Sequence, residues 1–401
     1  MPDPKFDDAA VSSAGPVRSP GLVHFALAVG GFAIGTTEFA TMSLLPYFAK
    51  DLRVDAPTAG HVISAYALGV VVGAPLIAVL STRLARRSLL VGLMIVFALA
   101  NGLSAIAPSY PWMLLFRFLS GVPHGAYFGV AALMAASLVP AARRTAAVGR
   151  VMLGLTVATI VGVPLANGLG QAVGWRWGFA LVAALAVATA TLVFLFAPRD
   201  KPAEGASALK ELGALGRPQV WFTLAIGAIG FGGMFCVYTY LTSTLIHVTH
   251  VGPVAASVVL MTFGIGMTAG NLIVPRFADR ALMPSAGLLL LWSAAMLALY
   301  PLAAQSLAGM IIDMLLIGFG VALATVLQTR LMDVAGDAQT LAAALNHSAF
   351  NVANALGPLL GGLAIAAGYG WTSTGWVGCG LALVGLIMWA LAWAASRRQV
   401  R

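Results

Sequence analysis

Twelve times along this chain a run of about twenty residues passes almost without a charged side chain. At helical rise a run of that length crosses the roughly 30 Å hydrocarbon layer of a bilayer. The runs fall at about 22–46, 58–80, 88–107, 111–138, 147–169 and 175–197. A second set falls at about 219–246, 253–275, 283–303, 306–329, 339–366 and 371–395. The fold class expected is all-α and polytopic. Twelve membrane helices form two pseudo-symmetric six-helix bundles, over 22–197 and 219–395. They are flanked by a disordered tail (1–21), a polar linker (198–218) and a basic tail (396–401).

Composition supports a membrane solvent. Of 401 residues 60% are hydrophobic and 9% charged, against about 25% charged in soluble domains. The net charge of +9 does not mark a nucleic-acid binder, because the basic residues lie in short connectors between apolar runs. With the N-terminus inside, 18 of the 22 Lys and Arg residues fall on the cytoplasmic side, and only Lys50, Arg53 and Arg176 fall opposite. That asymmetry places both termini and the linker in the cytoplasm. Cys236 and Cys379 each lie inside an apolar run, so neither a disulfide framework nor a metal or cofactor site is implied. Residues 1–20 lack the basic start and apolar core of a cleaved signal.

The halves repeat. Tyr66, Gly69 and Gly73 return as Phe263, Gly266 and Gly270, 197 positions later, and Arg83 returns as Arg280. Pro164, after Gly162, recurs as Pro358 after Gly357, and Gly174-Trp175 recurs as Gly370-Trp371. Two six-span repeats rocking about a midplane site are the architecture of many secondary transporters.

Arg117 stands inside the fourth run. An arginine in hydrocarbon costs roughly 2.5–3.5 kcal/mol on insertion scales. Gly121, Gly125 and Gly129 follow at intervals of four and share its helical stripe. One reading is a snorkelling cation beside a packing groove; the other is a buried cation that an acid or substrate addresses. The connector after the second run holds Arg83, Arg86 and Arg87, and its second-half counterpart holds Arg276, Asp279 and Arg280. These cations can bind helix C-termini and Asp279 can latch a neighbouring span; the plainer reading is anchoring on the inner face.

With these motifs the chain resembles the major facilitator superfamily, in its twelve-span drug:proton antiporter branch, over residues 22–395. The loop motif G-x-x-x-D-R-x-G-R-R aligns with residues 78–87, where Thr82 and Ala85 depart from it; Asp279-Arg280 keeps it in the second half. Arg117-Phe-Leu-Ser-Gly121 matches the fourth-span pattern, whose arginine the resemblance links to proton coupling. Residues 154–168 resemble the fifth-span antiporter motif imperfectly, while Gly357-Pro358 with Gly361-Gly362 gives a clean GPxxGG. Physically, a proline frees a carbonyl and glycines allow close packing. Gly35-Thr36-Thr37-Glu38-Phe39 resembles the signature of a subgroup with sugar-efflux proteins, chloramphenicol exporters and a purine ribonucleoside exporter.

The resemblance implies an exporter of drugs, sugars or nucleosides in the bacterial inner membrane, using alternating access, with protons as co-substrate and a monomeric chain. Glu38 and Arg117 become the coupling pair, at similar depths in the outer half of the bilayer. Asp313, an acid in the span that repeats the fourth, is a second protonation or ion-pairing candidate. For the substrate cavity the candidates are Thr37, Tyr66, His124, Phe128, Phe231, Tyr238, Asn351 and Asn354. For the polar ones among these, bridging between helices is the competing role; for the aromatic ones, packing. An uptake symporter or facilitator of a small polar metabolite is the alternative, against which the span-five and span-eleven motifs weigh. A receptor or membrane enzyme is less favoured, since no activated Ser/His pair, HExxH or nucleotide-binding loop occurs. The topology is checked with a tag at residue 205: in intact cells it stays unreactive to an impermeant reagent and reacts only after permeabilisation. Labelling of intact cells would reverse the orientation.

Overall fold

The computed structural model describes residues 20–81, 84–140, 144–199, 213–278, 281–335 and 339–399. Twelve helices are long and apolar enough to cross a membrane. Spans 1 to 6 are Pro20–Ser43, Ala56–Ile77, Arg86–Ala105, Tyr110–Ser137, Ala147–Ala172 and Arg176–Phe196. Spans 7 to 12 are Pro218–His247, Val254–Ala278, Leu282–Ala303, Leu307–Ala335, Ala344–Tyr369 and Ser373–Arg397. No strand occurs among the described residues.

Several boundaries differ from the sequence expectation. Pro20 and Gly21, assigned to the tail, open span 1, because proline suits the first helical turn. That span stops at Ser43, and a separate short helix, Leu45–Asp51, follows with Pro46 in its first turn. At the other end, residues 396–399 are helical and not a tail: Ser396 bonds back to the Trp393 carbonyl and the Arg397 guanidinium lies 4.6 Å over the Trp393 ring. Residues 1–19, 200–212 and 400–401, with Arg83, Asp279 and Arg280, lie outside the described residues, so the proposed latch falls there.

Three spans are interrupted near their middles. Span 4 is two helices, Tyr110–Gly121 and His124–Ser137, parted at Val122-Pro123, where proline cannot donate to the preceding turn. Span 7 changes helix at Phe231, and span 10 passes through a tight 3₁₀ turn at Gly320–Ala322. Span 5 carries a π-helical turn, Ala158–Gly162, immediately before Pro164. Such turns often stand at functional sites.

The repeat is visible in the packing. A methyl group on Gly69 would strike the Phe118 carbonyl, and one on Gly266 would strike the Leu315 carbonyl. Gly73 meets Val122 and Gly270 meets Phe319; Gly121 meets the Tyr66 carbonyl and Gly318 that of Phe263. Each contact in the first half thus recurs 197 residues on, as backbone-to-backbone packing of span 2 on span 4 and of span 8 on span 10. Gly125, beyond the break at Pro123, continues the stripe against Ala74 at 2.6 Å, but Gly129 one turn further has nothing within 4 Å, so the close packing on span 2 ends between them.

Where the connectors run opposite the termini, the first half is clasped by Arg176. It donates to Asp51 and to the Ala107 carbonyl (3.2 Å), while Trp175 Nε1 also donates to Asp51 at 3.1 Å. The hydrogen bond from Arg176 holds the Asp51 carboxyl below the usual carboxylate range. On the terminal face Arg87 donates to the Phe194 carbonyl near the end of span 6, and Arg217 to the Val334 carbonyl at 3.1 Å. Cations there meet the partly negative helix ends. Among the described residues two non-glycine residues are left-handed, Arg53 (φ 57) and His250 (φ 55), again 197 apart.

Gly69→Ala and Gly266→Ala should destabilise to similar extents, by about 1–3 kcal/mol each, since overpacking forces backbones apart. Thermal unfolding in detergent measures it. Wild-type melting of either variant would mean that the contact is looser than described.

Candidate functional site

The site is built around Arg117, 1% exposed and enclosed by four spans of the first half. Its Nη1 donates to Thr37 Oγ1 on span 1 (3.0 Å) and to Asn101 Oδ1 on span 3 (3.3 Å). Its guanidinium lies 4.4 Å from the ring centre of Tyr66 on span 2 and 5.3 Å from that of Phe179 on span 6. Thr37 also donates to Asn101 Oδ1 (2.8 Å), and Asn101 Nδ2 donates to the Phe97 carbonyl (2.8 Å). The cation is therefore met by neutral dipoles and ring faces. Its Nε finds no partner.

Glu38, one residue from Thr37, is not in ion-pair contact with Arg117. The expected coupling pair shares a neighbourhood without touching. Thr37 turns toward the arginine, and Glu38 turns to the other half, where Asn354 Nδ2 on span 11 donates to its Oε1 at 3.2 Å. Glu38 is 8% exposed, and Asn354 is fully buried. Both stand in the seam where spans 1, 2 and 5 meet spans 7, 8 and 11. Nearby in that seam, Ser64 donates to the Ala355 carbonyl at 2.9 Å, and a methyl on Gly362 would lie 3.4 Å from Pro57. The π-turn of span 5 enters the same seam, with Thr159 and Ile160 closing on Gly264 of span 8.

Tyr66, beneath the guanidinium, shares a 2.8 Å hydrogen bond with His124 Nδ1. Across the seam His347 of span 11 comes within 6.2 Å of the His124 ring and stacks on Phe128 at 5.4 Å, 1° from parallel. Thus Thr37, Glu38, Tyr66, Arg117, His124, Phe128 and Asn354 are brought together. Tyr238 joins from span 7, edge-on to Phe39 at 5.5 Å. Phe231 packs on Phe350 at 4.7 Å and borders a small cleft with Leu297, Ile317 and Val321. Asn351 binds its own helix, donating to the His347 carbonyl. Asp313 is apart from this group. In the 197-residue repeat it matches Phe116, one position before Arg117, whose own counterpart is Met314; it is 5% exposed, makes no ion pair among the described residues, and leaves Oδ2 without a partner.

The glycine-proline motifs pack helices. Gly162 closes on Thr36 and Phe32 of span 1; Gly357 and Gly361 close on Cys236 of span 7. The Pro358 carbonyl accepts from Tyr240 at 2.9 Å. Among buried polar atoms, Tyr238 OH, Thr239 Oγ1, Thr242 Oγ1, Asn351 Oδ1 and Asn354 Oδ1 have no hydrogen-bond partner. Native interiors rarely leave so many together.

Sequence reasoning passed over Asn101 and Ser64. An asparagine alone in the otherwise apolar third run was the available signal; for Ser64 there was none.

A twelve-span bundle with a buried cation and an acid at the seam of its halves defines a membrane transport protein. The chain belongs to the Major Facilitator Superfamily, whose family model matches residues 27–336. It is 42% identical over 376 residues to the inner membrane transport protein YdhP of Escherichia coli (strain K12), covering 93% of this chain and 96% of that one. It is 36% identical over 346 residues to a chloramphenicol resistance protein of Streptomyces lividans, covering 84% and 87%. In fold it is similar to a bacterial homologue of the human lysosomal transporter Spinster, solved inward-facing and unoccupied. The TM-score is 0.66 at 18% identity, with 95% and 96% of the two chains covered. Family and relatives are transporters, not enzymes.

Asn101→Leu keeps volume but removes the acceptor shared by Arg117 and Thr37. A loss of about 2–3 kcal/mol is expected, the scale of a hydrogen bond to a buried charge, read by unfolding in detergent. Wild-type stability would show that Asn101 does not hold the guanidinium.

Proposed function

We propose that this protein is a proton-coupled antiporter that exports small organic molecules, with Glu38 as the proton carrier. The observation that carries the reading is the position of that acid. It lies in the seam, bonded to the opposite half through Asn354 and within electrostatic reach of the fixed charge of Arg117. Burial favours the neutral acid, the guanidinium favours the carboxylate, and a shift of either half changes the balance. A proton can then be exchanged for substrate as the halves rock. Units over 22–197 and 219–395 move about the seam, and the glycine–carbonyl contacts keep spans 2 with 4 and 8 with 10 as they do. The basic-residue asymmetry supports a topology with both termini in the cytoplasm of a bacterial cell, and in this reading the chain acts as a monomer in the inner membrane.

The composition of the seam supports a substrate class. The rings of Phe39, Phe235, Tyr238 and Phe263 form an apolar face, beside the partnerless oxygens of Tyr238, Asn351 and Asn354. A compact molecule with one apolar face and several O–H or N–H donors suits that surface, as drugs, sugars or nucleosides do. Asp313 supplies a second protonatable group in the second half.

Glu38→Gln keeps shape and hydrogen bonding but cannot titrate. Substrate still stabilises this variant in a thermal-shift measurement, as any ligand of the folded state does, while proton-driven export in inverted vesicles stops. Coupled export at the wild-type rate would remove Glu38 from the role.

A further inference from the structure

Asn354 uses only half of its amide. Nδ2 donates to Glu38 Oε1 across 316 residues of sequence, from span 11 to span 1. Oδ1 is buried and has no partner. A buried acceptor left without a hydrogen bond is unfavourable, and the Asn354 oxygen is such an acceptor beside a carboxyl group. A carboxylic acid presents one donor and one acceptor on the same edge, the complement of the two amide groups. A carboxylate presents acceptors alone, and sets its charge against the amide oxygen.

We propose that the Asn354 amide reads the protonation state of Glu38 across the seam. With Glu38 protonated, the two side chains form an acid–amide pair. Its O–H donates to Oδ1 while Nδ2 donates to the other carboxyl oxygen, and no polar atom of Asn354 is left over. Loss of the proton removes the donor to Oδ1 and leaves a single charge-assisted bond from Nδ2, so the joint between spans 1 and 11 passes from two hydrogen bonds to one. The seam is thereby tied to the proton at a residue that does not itself titrate, and Asn354 is a positioning residue. This rests on the reading of Glu38 as the proton carrier.

The titratable and charged neighbours are Arg117 and His124 on span 4, Tyr66 on span 2, Tyr238 on span 7 and His347 on span 11. Arg117 and Tyr66 lie within electrostatic range of Glu38. His124 is bonded to Tyr66 and faces His347. None donates to Asn354 Oδ1, since that atom has no partner. The proton of Glu38, whose carboxyl already meets Nδ2 of the same amide, is the donor this proposal assigns to it.

The test is pH-difference infrared spectroscopy of the full chain in lipid nanodiscs. The protonated Glu38 carbonyl band is assigned by its loss in Glu38→Gln. Its expected position is that of a doubly hydrogen-bonded acid, with a shift to higher frequency in Asn354→Leu. In wild-type protein carrying ¹³C in its asparagine side chains, an amide carbonyl band should shift in step with the same titration and stay still in Glu38→Gln. That second measurement stands whether or not the leucine variant folds. A Glu38 band unmoved by Asn354→Leu, or asparagine bands that ignore the titration, would overturn the pair and leave Glu38 as carrier. If no band sensitive to Glu38→Gln titrates at all, the carrier reading falls, and the pair with it.

Discussion

A guanidinium cannot shed its charge in hydrocarbon, and Arg117 has no carboxylate in contact to cancel it. The first half is arranged around that fact. Span 1 supplies a hydroxyl, span 3 an amide, and spans 2 and 6 ring faces. Each contact is modest, but together they replace the water that an arginine keeps at a surface. Because Thr37 is committed to this cage, the next residue in the helix, Glu38, turns out of it. The acid reaches the seam as a geometric result of how the cation is solvated.

The seam is crossed both by hydrogen bonds and by a stacked ring pair. Glu38 with Asn354 and Ser64 with Ala355 cross it by hydrogen bonds, while Phe128 and His347 cross it face to face. Backbone contacts through glycine join spans inside each half. They bring helix axes so close that side chains do not separate them. Close glycine contacts also cross the seam, where Gly264 meets Thr159 and Ile160, so the halves too meet closely there.

Much of this was legible in the sequence, for physical reasons. Run length and charge distribution respond directly to the bilayer, so twelve spans and a duplication could be read from them. Glycine spacing predicted close packing, and the offsets of Tyr66, Gly69 and Gly73 marked where it repeats. The direction of Glu38 was not legible. The family resemblance, with similar depth, led to an expected contact with Arg117, but neither gives azimuth, and one residue along a helix turns a side chain by about 100°. The reach of the Gly121 stripe ended before Gly129, because shared spacing along one helix does not say how far its neighbour stays alongside. Asn101 went unread because its meaning lies in partners on spans 1 and 4, far away in sequence.

The left-handed residues Arg53 and His250 carry a separate message. Both copies of the repeat bend through the same disfavoured conformation at the same place, one with a guanidinium and the other with an imidazole. Neither side chain prefers it as glycine does. The bend therefore belongs to the route the chain must take between its first and second helix, and not to the residue found there. An ancestral single copy would have carried that hairpin already, and the side chains at its crest were free to diverge while its curvature was not.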